Sequence, residues 1–174
     1  MHRCPRCPQR MLLECAGRGI VCVETTTAGR KPDIRRGMKT RVSAYGLVIQ
    51  DDHILLTQLA DYCYRPGHWT LPGGGMDHGE LPEQTVVREL FEETGLTARD
   101  LDLFHVHAFS ENERGPFLGV QIVYRAQASG VPSVQEVGGS TAAAAWIALA
   151  DLGTIPRVPG LDVVLGKLGI AVNP

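Results

Sequence analysis

Residues 74–96 read Gly-Gly-Met-Asp-His-Gly-Glu-Leu-Pro-Glu-Gln-Thr-Val-Val-Arg-Glu-Leu-Phe-Glu-Glu-Thr-Gly-Leu, and they decide the fold. The order is Gly74, five residues, Glu80, seven residues, Arg88-Glu89-Leu90, one residue, Glu92-Glu93, one residue, Gly95-Leu96. Pro82 suits a first helical turn, where its missing N–H would have no partner anyway. Gly95 suits the position just past a helix end, where the backbone often turns left-handed. The stretch therefore predicts a glycine-rich loop, a helix and a glycine stop. Val86, Val87, Leu90 and Phe91 recur at helical spacing and are expected to face a core. Glu89, Glu92 and Glu93 stand at i, i+3 and i+4, which is expected to set three carboxylates side by side on the other face.

Like charges at that spacing destabilise an isolated helix by roughly 0.2–0.5 kcal/mol per pair. A hard divalent cation reverses the sign, because Mg²⁺ takes carboxylate oxygens, water and substrate phosphate together. Arg88 and Glu80 form the other polar pair. They meet if the loop folds back over the helix, and they would then hold the loop rather than react. A plain solvated acidic face would leave the loop glycines, this fixed pair and the stop glycine unexplained.

At every defining position these residues resemble the signature of the Nudix hydrolases (MutT-like proteins), G-x5-E-x7-R-E-U-x-E-E-x-G-U, with Leu90 and Leu96 in the two aliphatic places. The resemblance implies an α/β fold, an α/β/α sandwich with a mixed β-sheet carrying a signature loop-helix-loop. It implies hydrolysis of the pyrophosphate linkage in a nucleoside diphosphate joined to another group, of NTP, ADP-ribose or NDP-sugar type. Mg²⁺, with Mn²⁺ as its alternative, is the implied cofactor. Its implied ligands are Glu89, Glu92, Glu93 and the carbonyl of Gly74, with Arg88 orienting the cluster through Glu80 and Gly95 ending the helix. A further carboxylate from a downstream loop is common in the family, and Glu136 is the candidate here. The base is left between a helix glutamate and Glu136. Family loops near Ser110 to Pro116 recognise substrate, which makes Glu111, Glu113 and Arg114 the candidates. The sub-family markers downstream are absent: position 112 is Asn and position 113 is Glu, where ADP-ribose and dinucleoside-polyphosphate hydrolases carry Pro and Tyr.

The remainder of the chain sets bounds. At 174 residues, 44% hydrophobic and 21% charged, it falls in the range of a globular domain with a proper core. A net charge of −2 gives no electrostatic case for nucleic acid polymers or anionic membranes as partners. No apolar run approaches the roughly 20 residues that span a bilayer. A small nucleotide derivative is the expected partner, the cytoplasm the expected compartment, and homodimerisation an option that the family leaves open.

Residues 1–37 hold four of the five cysteines, Cys4, Cys7, Cys15 and Cys22. Cys4-x2-Cys7 has zinc-turn spacing, but Cys15 and Cys22 do not form a second such pair. The segment is read as a poorly ordered, reduced extension, and residues 38–174, beginning at Met38, as the hydrolase domain. Two other classes of function are set aside on the same grounds. A nucleotide-sensing module without catalysis would not need all three glutamates, and a zinc-binding interaction protein would need better cysteine spacing.

Within the domain, Val42–Ile49 and His53–Leu59 flank Asp51-Asp52 as a hairpin. Leu101–Phe109 and Phe117–Ala128 form a second hairpin, with His105 and His107 on one face. Of Ala142–Leu149 the second half is read as a strand, and Leu161–Leu168 as a closing helix.

Overall fold

Alternation along one strand explains the layering. In His53–Leu59 (β3), Ile54 and Leu56 are fully buried toward one side and Leu55 toward the other. A strand buried on both faces must lie between two layers. The computed structural model describes residues 38–111 and 116–171, without the side chain of Glu111. The N-terminal segment with its cysteines, and Glu113 and Arg114 of the expected recognition loop, lie outside these residues.

Lys39–Leu47 (β1) is central to the first sheet. It pairs antiparallel with Gly73–Gly75 (β5) and parallel with Phe117–Gln127 (β7), and β7 pairs antiparallel with Arg99–Glu111 (β6). The sheet order is β5-β1-β7-β6, a mixed sheet. Val48, 1% exposed, carries the chain into the second sheet. There β3 pairs with Ile49–Gln50 (β2), Trp69–Thr70 (β4) and Thr141–Ala148 (β8). The β2–β3 hairpin turns on Asp51 and Asp52, both at positive φ (48° and 59°), as a two-residue turn of this hand requires. β8 is strand from Thr141 onward, although four successive alanines favour helix on propensity. Seven register pairs to β3 override that preference.

Pro82–Thr94 (α1) and Pro159–Lys167 (α2) cover opposite faces. Val86 and Leu90 of α1 pack with Ala44, Val48, Leu55, Tyr124 and Ala126. Leu161, Val164 and Leu165 of α2 pack with Leu47, Ile54, Leu56 and Val123. The architecture is an α/β/α sandwich.

The buried stripe of α1 is narrower than its sequence implies. Val86 and Leu90 are 0% exposed, but Val87 is 38% and Phe91 52% exposed. The places expected for them are taken by Thr85, Glu93 and Thr94, all within 3% exposure. The apolar arc thus rotates toward Glu93, whose carboxylate is held inward by the Gly73 N–H and the Thr141 hydroxyl.

Candidate active site

The loop closes on α1 through one guanidinium. Arg88 Nε and Nη2 donate to Glu80 Oε1 and Oε2, both at 2.9 Å. Nη1 donates to Glu89 Oε1 at 2.9 Å and Glu92 Oε2 at 3.1 Å, and Nη2 also donates to the Gly75 carbonyl at 3.2 Å. All five N–H groups of the planar fork are engaged, a geometry lysine cannot reproduce. Glu80 in turn accepts from the Asp77 N–H at 2.9 Å and the Thr85 hydroxyl at 2.7 Å. The Arg88 bonds, then those from Asp77 and Thr85, lower its pKa to about 2. Glu80 first, and then Glu89, push the Arg88 pKa further up. Leu81 begins the helix without a capping side chain of its own, and Gln84 Oε1 reaches back to accept from the Leu81 N–H at 2.9 Å.

β5 supplies the other wall. With only β1 as a strand partner, its second edge turns polar backbone toward α1: the Gly75 carbonyl to Arg88, and the Gly73 N–H to Glu93 Oε2 at 2.8 Å. A side chain at Gly74 would begin 2.5 Å from Glu89 Oε1, so this carboxylate fills the space above the glycine.

The three helix glutamates do not lie abreast. Glu92 is the most open, its side chain 40% exposed, and that of Glu89 is 15% exposed. Glu93 is turned inward at 3% exposure, accepting from the Thr141 hydroxyl as well as from Gly73. Burial raises its pKa to about 7 against the lowering effect of those two bonds, with Glu89 and Glu136 adding negative charge. Burial also raises Glu89, opposed by Arg88 and reinforced by Glu92 and Glu136.

Glu136 is brought to this cluster by the end of α1. Gly95 sits at φ 70°, and the loop after β7 folds over the last helical turn. The Gln135 and Glu136 N–H groups donate to the Glu92 carbonyl, both at 2.9 Å, and the Ser133 N–H to the Thr94 carbonyl at 2.8 Å. Carbonyls a helix end leaves open are thereby satisfied, and the Glu136 charge comes within range of Glu89 and Glu93. Glu111 is the last residue of β6, on the far side of the first sheet from β5. His105 and His107 stack on each other at 5.5 Å. Sequence reasoning missed Thr85 and Thr141, which hold Glu80 and Glu93. Hydroxyl residues without a motif give no signal that they meet a carboxylate 5 or 48 positions away.

Among the described residues, no three His, Cys, Asp or Glu side chains converge as a ready metal cage. The oxygen set nevertheless suits a hard cation. Glu89 and Glu92 already share one cationic N–H group of Arg88, and the Glu89 carboxylate lies in the recess that Gly74 leaves open. No helix among these residues is long and apolar enough to cross a membrane.

The family model described as the NUDIX domain matches residues 39–165. This chain belongs to the Nudix family. A Mycobacterium tuberculosis relative is 48% identical over 50 residues, 29% of this chain and 23% of its own length, so the chain matches under a quarter of that protein. The Escherichia coli 8-oxo-dGTP diphosphatase is 29% identical over 132 residues, 75% of this chain and 98% of that one. Among solved structures, the MutT Nudix hydrolase from Burkholderia pseudomallei superposes with a TM-score of 0.66 at 31% identity, over 75% of this chain and 98% of that one.

Proposed function

We propose that the chain is a metal-dependent pyrophosphohydrolase acting on a nucleoside diphosphate joined to a further group. The observation that carries this reading is the Arg88 fork, which gathers Glu80, Glu89 and Glu92 against the backbone of Gly75 and within reach of the Glu136 charge. The E. coli and Burkholderia relatives support the same class of chemistry.

In this reading Glu89, Glu92, Glu93 and the Gly74 carbonyl hold Mg²⁺, or Mn²⁺ in its place. When bound, the cation neutralises the diphosphate oxygens and lowers the pKa of a water molecule. Arg88 fixes the direction of the Glu89 and Glu92 carboxylates, and Glu80 keeps Arg88 from swinging onto the substrate. A carboxylate, from the helix or from Glu136, takes the proton as water attacks phosphorus and the anhydride P–O bond breaks. Thr141 and Gly73 position Glu93 by one hydrogen bond to each oxygen, which leaves each a further lone pair for a cation.

The test is incubation with Mg²⁺ and a panel of (d)NTPs, oxidised dNTPs, ADP-ribose, NDP-sugars and dinucleoside polyphosphates, with products separated by chromatography. Glu92→Gln and Glu93→Gln variants run alongside. Turnover that needs the cation and is lost in both variants is expected. Turnover that survives in both, or in a chelator, sinks the assignment.

A further inference from the structure

Two loops meet beside the carboxylate cluster, and only one of them has a place in the reading above. Residues 128–140, between β7 and β8, carry Glu136 and run directly into Thr141, whose hydroxyl holds Glu93. The span from Glu136 to Thr141 therefore fixes two parts of the site at once. Its first residue is tied to α1 by its own N–H, which donates to the Glu92 carbonyl at 2.9 Å. Its middle is Gly138-Gly139. Gly138 sits at φ 75°, in the left-handed region where glycine carries no steric cost. Gly139 is where the Glu136 carboxylate comes to rest, and a Cβ there would coincide with it. A pair of glycines leaves the backbone under a functional carboxylate free to move unless another element restrains it.

The restraint comes from residues 60–68, between β3 and β4. The Ala60 N–H donates to the Ser140 carbonyl at 2.9 Å, and Cys63 Sγ lies 3.4 Å from the same oxygen. The Tyr62 hydroxyl donates to the Gly138 carbonyl at 3.0 Å and also to the Gly139 carbonyl. One O–H shared between two carbonyls is a three-centre bond, and it ties down both glycines together. Packing does not account for this tyrosine. Its ring is 69% exposed, so a phenylalanine would serve the core equally well. What tyrosine adds is the hydroxyl, and that hydroxyl is directed at the one stretch of the loop that has no other anchor among the described residues.

We propose that Tyr62 is a positioning residue for Glu136: by tying the Gly138-Gly139 backbone to the β3–β4 loop, its hydroxyl holds the Glu136 carboxylate at the cluster. The inference rests on the pyrophosphohydrolase reading for the use made of Glu136. Tyr62 touches no reacting atom and acts through the loop. The bonds at either end, from Glu136 to Glu92 and from Ala60 to Ser140, remain without it. Its loss therefore frees the middle of the span and leaves the fold intact.

The experiment compares the full chain with Tyr62→Phe, Glu136→Gln and the double variant, with thermal melting to check that each folds. Amide hydrogen exchange in chelator reads the loop without any turnover. At Glu136 and Ala60, Tyr62→Phe is expected to speed exchange about three- to tenfold, the effect of one lost hydrogen bond on local opening. The Leu55 amide, bonded to the Val48 carbonyl at 3.0 Å, is the control and should not change. Hydrolysis is then measured in Mg²⁺ on the (d)NTPs, ADP-ribose and NDP-sugars of the panel. Tyr62→Phe should lower kcat about three- to tenfold with KM within about twofold. Once Glu136 is glutamine, Tyr62→Phe should cost nothing further, because the carboxylate it positions is gone. Unchanged exchange at Glu136, or the same loss of kcat in both backgrounds, overturns the proposal. The two readings separate. Faster exchange with no turnover on any compound would leave Tyr62 as the holder of Glu136 and remove the hydrolase, and turnover with unchanged exchange would do the reverse.

Discussion

Replacing Glu93 with glutamine should make the metal-free protein more stable at alkaline pH while impairing hydrolysis. Glu93 titrates near 7 in the fold against 4.5 in an exposed chain, chiefly because it is buried. A raised carboxylate pKa means that the folded state binds more protons between those two values, so stability falls as pH rises from 4.5 through 7. Each unit is about 1.4 kcal/mol, which gives a penalty on the order of 3 kcal/mol once Glu93 is fully ionised. Glutamine has the same shape and no charge. Its amide oxygen can accept from the Gly73 N–H and its NH₂ can donate to the Thr141 oxygen, so both partners remain satisfied. The assay is urea unfolding of wild type and Glu93→Gln in chelator from pH 4 to 8.5, taking the difference so that other titrations cancel. That difference should be near zero at pH 4, grow through pH 5–7, and level off at about 3 kcal/mol in favour of the variant. A difference that does not change with pH, or a variant less stable at pH 8.5, would refute the view that Glu93 ionises against its burial.

Arg88→Lys should lower stability by about 2 kcal/mol, since a point charge cannot serve Glu80, Glu89 and Glu92 together, and should reduce kcat at least tenfold; urea unfolding and steady-state kinetics check both. Gly95→Ala should cost about 1–3 kcal/mol by thermal unfolding, because φ is 70° and the new Cβ would meet the Ser133 carbonyl at 2.9 Å. The same change should slow turnover by displacing the loop that carries Glu136. Glu80 has a depressed pKa, so its contribution is present above about 4.5 and fades as pH falls toward 2; the stability gap between wild type and Glu80→Gln should shrink over that range in acid unfolding. Deleting residues 1–37 should leave the melting temperature of the remaining domain within about 4 °C, and its kcat/KM within about twofold, of the full chain, if the hydrolase domain begins at Met38.

What could be read from the chain alone was what lies at short range. The loop, helix and stop glycine follow from Pro82, the spacing of Val86 and Leu90, and Gly95. The Glu80–Arg88 pair follows from an offset of eight that only a folded-back loop can close. Periodicity erred at Val87 and Phe91. Periodicity places an arc but not its centre, and α1 meets β5 as well as β1 and β7, so its buried arc extends toward Glu93. The inward turn of Glu93 has the same origin, since the side chain meets an unpaired Gly73 N–H and the first residue of β8.

A row on the other face of the first sheet, Arg41 on β1, Gly119 on β7 and Phe109 on β6, was beyond sequence reading for a different reason. Arg41 and Gly119 become neighbours only through a parallel pairing between strands more than seventy residues apart, and no local pattern specifies that register. Once it is set, a single glycine on β7 has two effects at once. It leaves room for the Phe109 ring, whose atoms stand where a Cβ would be, and it leaves no side chain between that ring and Arg41. The signature residues 74–96 are legible without that register, because their partners lie on one loop and one helix. The row of Arg41, Gly119 and Phe109 exists only when β1, β7 and β6 lie side by side. An Ala or Val at position 119 is the sharpest probe of that division. It should displace the Phe109 ring and cost about 1–3 kcal/mol in urea unfolding, while leaving the Arg88 cluster against β5, two strands away, and the hydrolytic step measured at saturating substrate, close to wild type.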